Sequence, residues 1–533
     1  MHDVPKQASP QAPPHRLDPD KSAVAKHLCA GAHLDKSFRD KIMNEIYHRP
    51  DRALAPSPGV NTALVLSHAR TARGRELGQH FLTTGVAVLI VFTTLSALLH
   101  PGMLLFLFIW ALVGWSVQHA AGENNEDLTI VQLLIGGSAL VALTFFAEPI
   151  IQALFYPTGA SGGRVAGLWI LLISLTVATA AFGGMRGVWI NRIDEDRGEP
   201  YLDDRLRTIS SRQGNAEVVN YSAYRKPFVG AGRSIATWQF AMPMRPKNGA
   251  ETQADPVWPH FSSSALNDHI RDAVSALAAD RGHSRHLPGL ELADRVYVSG
   301  VDTSAPAHFL RQLRRDNLPD SVAGIQADPT SAARHYLVCQ ASSWDGELVT
   351  TIFIHTAIQG ETLYMEFHSY NLPPTREAYH VFGRNAPSGD KRVALSAAIG
   401  AAGAPLSLIT GPIGLARAAV DGIRNAMSGG GGNGDDVGAV ATVRELGSDI
   451  HLHNYFQGRD AVKYTEILEA QLLHTVVEYL GDKVDTSQLT GFAETIVNHG
   501  IVNYGRIDAG AIGHGASATV GSVGRGSRGS VAK

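Results

Sequence analysis

Only two cysteines, Cys29 and Cys339, occur in 533 residues, and they form no CxxC pair. Neither a disulfide framework nor a thiolate zinc site is therefore expected. A surplus of positive charge is also missing: 46 Lys and Arg stand against 49 Asp and Glu, a net charge of -3. Without a concentrated basic surface to displace counterions from phosphates, no nucleic-acid partner is expected. The first residues lack the basic region and apolar core of a secretory signal, so membrane entry is expected from internal segments. No P-loop, nucleophile elbow, HExxH or Rossmann glycine pattern stands in the strand and helix context it requires. No catalytic residue and no cofactor is assigned, and the balance leans away from an enzyme.

What the chain does have is apolar length. Between His80 and Met185 four apolar runs, about 81–99, 103–117, 128–155 and 165–185, uncharged but for Glu148, approach or exceed the roughly 20 residues that a spanning helix needs. Core helices of soluble proteins seldom go so long without a charge on any face. His100, Pro101 and Gly102 join the first two runs as one helical hairpin, and Pro157 with Gly159, Gly162 and Gly163 turns the third into the fourth. Arg70, Arg73 and Arg75 precede the block and Arg186 and Arg192 follow it, which predicts a multi-pass protein of the cell membrane with both termini cytoplasmic. Glu148 is the one ionisable residue within the runs that qualifies as an intramembrane polar site. Its place before Pro149 near a span end reads as interfacial.

The expected organisation is a disordered 1–22, a helical segment 23–78, a transmembrane block 79–188 and an α+β domain 215–390. A small-residue apolar segment with a glycine-rich linker, 391–437, a helical segment 438–503 and a disordered tail 504–533 follow. The stretch 393–416 is charge-free but interrupted by Gly400, Gly403, Pro405, Gly411, Pro412 and Gly414. It reads as a membrane-surface or core segment, with a fifth span as the alternative. Farther on, Leu468, Leu472, Val476 and Leu480 mark an amphipathic helix ending at Gly481, and Thr486 or Ser487 caps another.

Within the α+β domain, 336–343, 348–358 and 363–370 form an antiparallel meander joined at Asp345-Gly346 and Gln359-Gly360, pairs suited to two-residue turns. These turns would pair Tyr336 with His355, His355 with Tyr364 and Thr351 with His368. One face then carries Leu337, Cys339, Ile352, Ile354, Leu363, Met365 and Phe367 and must be buried, with Cys339 a packed small hydrophobe. The other carries Tyr336, Phe353, His355, Tyr364, Glu366, His368 and Tyr370, a candidate partner or ligand face. His355 and His368 would lie four positions apart, about 13 Å, too far to share a metal. A solvated or partner-covered face is the expectation. His451 and His453 place two imidazoles on one side of a strand but lack a third ligand nearby, so no metal is assigned.

The strings LCAGAHLDKSFRDKIMNEIY, RALAPSPGVN, GAGRSIATWQFAMPMRP, LPGLELADRVYVSG and RHYLVCQASSWDGELVTTIFIH running into YNLPP resemble uncharacterised multi-pass membrane proteins of actinobacteria. The resemblance touches the N-terminal region and the middle domain. It implies one continuous architecture of helical segment, membrane helices and cytoplasmic domain, and assigns no site residue.

The first reading is thus an α+β protein with a four-helix transmembrane block of two hairpins, a cytoplasmic antiparallel-sheet domain and a helical C-terminal segment. It would act as a non-enzymatic binding, scaffold or sensory protein, whose partners are the lipid bilayer and a protein on the cytoplasmic domain, with homo-oligomers left open. A transporter or channel component using Glu148, and an enzyme using the histidine-bearing sheet face, are the alternatives.

Overall fold

The computed structural model describes residues 19–20, 22–98, 108, 110–112, 115–116, 162–195, 203–213, 217–222, 226–247, 261–280, 282–300, 318–383, 386–428 and 438–499. Capping chemistry starts the chain. Ser22 Oγ accepts the Ala25 N–H at 3.0 Å to open α1 (Ala23–Leu34), and Asp35 accepts the Phe38 N–H at 3.0 Å to open α2 (Lys36–Ile42). After a π turn at Met43–Tyr47 and the proline-rich stretch, α3 runs unbroken from Thr62 to Leu98. Helix α4 (Gly162–Asp194) returns beside it, and α5 (Asp204–Gln213) follows.

Two different environments meet along α3. Its first half buries Ala63, Val65, Leu66 and Ala69 against Leu28, Phe38, Ile42, Leu206 and Ile209, forming a helical base. Past His80 the apolar side chains turn outward instead: Phe81 is 72% exposed and Phe92 84%. Ile170 and Val177 of α4 are likewise exposed. Water penalises such rows and hydrocarbon does not. The hydroxyls agree, since Ser174, Thr176 and Thr179 each donate to the carbonyl four residues back, satisfying themselves without water.

The first and fourth apolar runs fall in α3 and α4; the third, with Glu148, and most of the second lie outside the described residues. By length and composition, two helices among the described residues can cross a membrane, Ile170–Asp194 and Ala404–Arg424. A block of four spans in two hairpins is therefore not what the described residues contain. The second of these helices arises in the segment read from sequence as surface or core. That segment forms α8 (Gly389–Ala402) and α9 (Ala404–Ser428), broken at Gly403, and its small residues serve close packing. A Cβ at Gly187 would meet Val393 Cα at 2.8 Å, and one at Gly183 would strike the Ser396 carbonyl. Gly183 and Gly187 thus form a small-xxx-small seam that lets α8 lie against α4. Gly414 likewise accepts the His80 ring and Gly411 the Thr83 hydroxyl, so α9 runs antiparallel to α3. Farther down that line Arg73 pairs with Asp421 at 4.0 Å.

Among the described residues the sheet domain has six strands in the order β1-β3-β4-β5-β6-β2: β1 (Val218–Tyr221), β2 (Arg233–Pro243), β3 (Leu290–Ser299), β4 (Ala333–Ser343), β5 (Leu348–Gln359) and β6 (Thr362–Leu372). The sheet is mixed, where sequence reasoning expected antiparallel pairing, because β1 adds to β3 in parallel; all other pairs are antiparallel. Helix α6 (Ser263–Ala279) contributes Leu266, Ile270, Val274 and Leu277 to the core, and α7 (Leu318–Ala327) lies beside β4. A one-turn helix, α10 (Val443–Leu446), leads to α11 (Tyr455–Gly481) and α12 (Ser487–His499). Leu468, Leu472, Val476 and Leu480 of α11 share one core with Leu337, Cys339, Ile352, Ile354, Leu363, Met365 and Phe367. The buried face expected from alternation is thus the observed one, and burial pushes the Cys339 thiol up to about 12. The C-terminal helices complete the sheet domain.

Candidate functional site

The first turn of the meander forms at Asp345-Gly346, with the Glu347 N–H donating to the Trp344 carbonyl at 2.9 Å. The second does not fall at Gln359-Gly360. Gly360, at φ +56°, takes the first turn position and Glu361 the second, so Gln359 closes the ladder with Thr362. His355 therefore pairs with Glu366 and Thr351 with Tyr370, in place of Tyr364 and His368. A shift of two residues preserves the faces, so Tyr336, Phe353, His355, Tyr364, Glu366, His368 and Tyr370 still share one side. Phe353 pairs with His368, which puts His355 and His368 two positions apart.

Much of this face is covered, with Tyr336, Phe353 and His355 buried and the other four residues partly so, and the cover belongs to the same chain. Phe228 stacks on Phe353 at 4.0 Å and presents its ring to Tyr336, Tyr297 and Tyr370 at 5.1, 5.2 and 5.4 Å. Gly230 and Gly232, both at φ +89°, let the covering loop pass; a Cβ at Gly230 would lie 2.6 Å from the Pro56 carbonyl oxygen. No signal in the alternation of the strands could have announced a cover from a loop more than a hundred residues away.

Beneath this cover Glu366 gathers the polar groups. Tyr336 and Tyr364 each donate a hydroxyl to it at 2.7 Å, and His368 Nε2 lies 3.3 Å away. Burial works to raise the Glu366 carboxyl, but the hydrogen bonds from His368, Tyr336 and Tyr364 prevail and hold it down at about 2. Burial and the hydrogen bond to Glu366 push Tyr364 up to about 12, so that phenol is a donor and not a base. His355 is kept below the usual imidazole range by burial and bonds the His335 carbonyl through Nδ1 at 2.8 Å. The grouping is a satisfied network around one carboxylate.

The linkage has a sign. A carboxyl whose folded value lies below its unfolded value of about 4.5 stabilises the fold above that pH and loses the contribution as pH falls toward 2. Glu366→Gln should therefore flatten the loss of stability between about pH 4.5 and 2 by roughly 2–3 kcal/mol. Thermal unfolding of both proteins across that window is the check; parallel curves would contradict the assigned network.

A second cluster joins the base to the sheet domain. His27, Gly31 and Asp35 recur every four residues of the N-terminal helix and its cap, so they lie along one side. Asp35 accepts from Arg376 Nη1 at 2.6 Å and Tyr379 OH at 2.7 Å, while the Tyr379 ring lies against Gly31, where a Cβ would come within 2.7 Å. His27 Nδ1 meets Glu347 Oε1 at 2.6 Å, and its ring stacks on His380 at 4.0 Å. His380 Nε2 lies 3.6 Å from the same Oε1. Thr375 donates its N–H to Glu347 Oε2 at 2.7 Å, and its hydroxyl lies 2.8 Å from His380 Nε2. Arg444, fully buried, donates to the Glu347 carbonyl at 2.8 Å and stands 3.9 Å from Oε2. Burial would raise Glu347, but the His27 hydrogen bond, the Arg444 charge and the Thr375 N–H bring it down to about 2.

Local strain delivers Glu347 to this seam. Trp344 and Asp345 both hold φ +54°, the left-handed region that costs a side-chain-bearing residue about 1–2 kcal/mol. Strain of this kind persists where the surroundings over-determine it. Of the sequence pair considered for a metal, both exposed, His453 sits beside His380 with ring centroids 5.7 Å apart and bonds Asp449 at 3.1 Å. His27, Glu347 and His380 were not singled out by sequence reasoning; the four-residue recurrence of His27, Gly31 and Asp35 was the available signal.

No curated relative and no solved structure matches the chain. A family model does: the AbeC-like domain matches residues 237–511, from within β2 past the end of α12, including Glu347, His380 and the whole Glu366 face. That match takes in more than half of the sequence, and the chain belongs to the AbeC-like domain family.

Proposed function

We propose that this chain is a multi-pass protein of the cell membrane, with both termini cytoplasmic, whose sheet domain binds a protein partner and conveys that event to its membrane helices without catalysing a reaction. The observation that carries the reading is the continuity of α3 and α4. Each passes from outward-facing apolar rows into the charged base, and Lys26, Asn191, Asp194 and Arg392 tie the end of α4 to α1 and α8 there. Both helices thus enter the same base, which supports placing residues 62 and 194 on one side of the bilayer.

Helices α8 and α9 fit this topology as a re-entrant hairpin. Gly414 lies at the level of His80 and Asp421 at that of Arg73, so only the first ten or so residues of α9 reach beyond the base. At 1.5 Å per residue these cover about 15 Å, half of a hydrocarbon core. Such a hairpin returns the chain to the side it left. On the sheet domain the exposed side chains Ile450, Tyr455 and Phe456 offer aromatic and apolar anchors for a partner.

Reporters fused after Ala160 and at Lys533 should lie on opposite sides of the membrane, and a third fused after Gly403 should give no outward signal. An outward signal after Gly403, or Ala160 and Lys533 on one side, would refute this topology. Replacing Tyr455 and Phe456 by serine should abolish stoichiometric co-purification of a partner from native membranes while leaving the unfolding midpoint unchanged; unaltered recovery would remove these side chains from the interface.

A further inference from the structure

We infer that His27, Glu347 and His380 bind a divalent transition-metal ion at the seam between the helical base and the sheet domain. The inference does not depend on the proposed partner. Two imidazole nitrogens and one carboxylate oxygen, His27 Nδ1, His380 Nε2 and Glu347 Oε1, lie within 4.8 Å of one another. Two His and one carboxylate form a donor set for zinc or ferrous iron, with further positions left to water. Metal–nitrogen bonds of 2.0–2.1 Å require the two nitrogens, now within 4.8 Å of each other, to stand about 3.3 Å apart, and one of the stacked rings, 17° from parallel, to turn so that both lone pairs meet the ion.

The surroundings orient the donors. Thr375 N–H occupies Glu347 Oε2, with Arg444 beyond it, and this leaves Oε1 turned toward both imidazoles. The Thr375 hydroxyl stands 2.9 Å from each Glu347 oxygen, 2.8 Å from His380 Nε2 and 3.5 Å from His27 Nδ1, yet has one proton to give. The hydroxyl thus stands among the three donors as a further oxygen beside the ion's position. Glu347 is nearly buried, whereas the His380 side chain is 30% exposed, which gives an ion a way in. The three donors come from α1, the strained turn before β5 and the segment leading to α8. A bound ion would clamp these three parts together.

The test uses the full-length chain in detergent, stripped with a chelator and titrated with zinc chloride against a chromophoric competitor. One zinc per chain is expected, with Glu347→Gln and His380→Gln each weakening binding on the order of 100-fold or more. His368→Gln, in the Glu366 network, should bind as the parent does. Cobalt substituted into the parent should give the visible absorption of a four- or five-coordinate nitrogen and oxygen site, a readout that does not rely on the variants folding. A parent that takes up no stoichiometric zinc, zinc retained at full affinity in both variants, or a cobalt spectrum of the hydrated ion would each overturn the assignment.

Discussion

Phe228→Ala is expected to destabilise the sheet domain by about 3–5 kcal/mol, the range for removing a buried phenylalanine without collapse of the space it filled. Phe228 is 5% exposed and touches the rings of Tyr297, Tyr336, Phe353, His368 and Tyr370, so truncation uncovers five aromatic or imidazole neighbours at once. Tyr336 and His368, which bond Glu366, would lose the ring that packs on them. Collapse is resisted because the loop is already packed closely against Pro56 and Thr442 at Gly230 and against Asn371 at Gly232. Thermal or denaturant unfolding followed by tryptophan emission measures the effect, with Tyr455→Ala, at an exposed position, as the comparison that should stay within about 0.5 kcal/mol. A cost below about 1 kcal/mol would mean that the loop does not cover the face.

Gly183→Val and Gly187→Val should each cost about 3 kcal/mol or more, because the new side chain meets backbone, which cannot rotate away. At Gly183 the obstacle is the Ser396 carbonyl, and at Gly187 it is Val393 Cα at 2.8 Å with the Arg392 carbonyl at 3.1 Å. The helices would have to separate, forfeiting the close dispersion contacts that a small-residue seam allows. Gly85→Val is the control, since nothing lies within 4 Å of a Cβ there although it too sits in a long helix. Limited proteolysis between α8 and α9 and unfolding in detergent should separate the two seam variants from the control. Equal behaviour of all three would show that α8 does not pack on α4.

The parts of this fold that were legible in sequence are those decided by neighbours along the chain. Alternation in β4 to β6 assigned both faces, and Asp345-Gly346 located a turn, because side-chain period and φ preference act over a few residues. The second turn slipped by one position because Gly360 can fill either turn site, and the faces survived only because the register moved by two. The cover over the Glu366 face and the seam of His27, Glu347 and His380 were not legible. His27 and Glu347 are 320 residues apart, and the four-residue recurrence of His27, Gly31 and Asp35 marks one side of a helix without saying what meets it. Glycines in α8 and α9, read as interruptions of an apolar run, mark close helix contact, a meaning that depends on the partner helix.

Helix α3 spans Thr62 to Leu98 as a single 37-residue rod, about 55 Å long at 1.5 Å per residue. It has no proline and hence no obvious joint at which torsion would dissipate. Turning its buried end by a few degrees would sweep the far end sideways by a few ångströms, with the magnitude set by leverage alone.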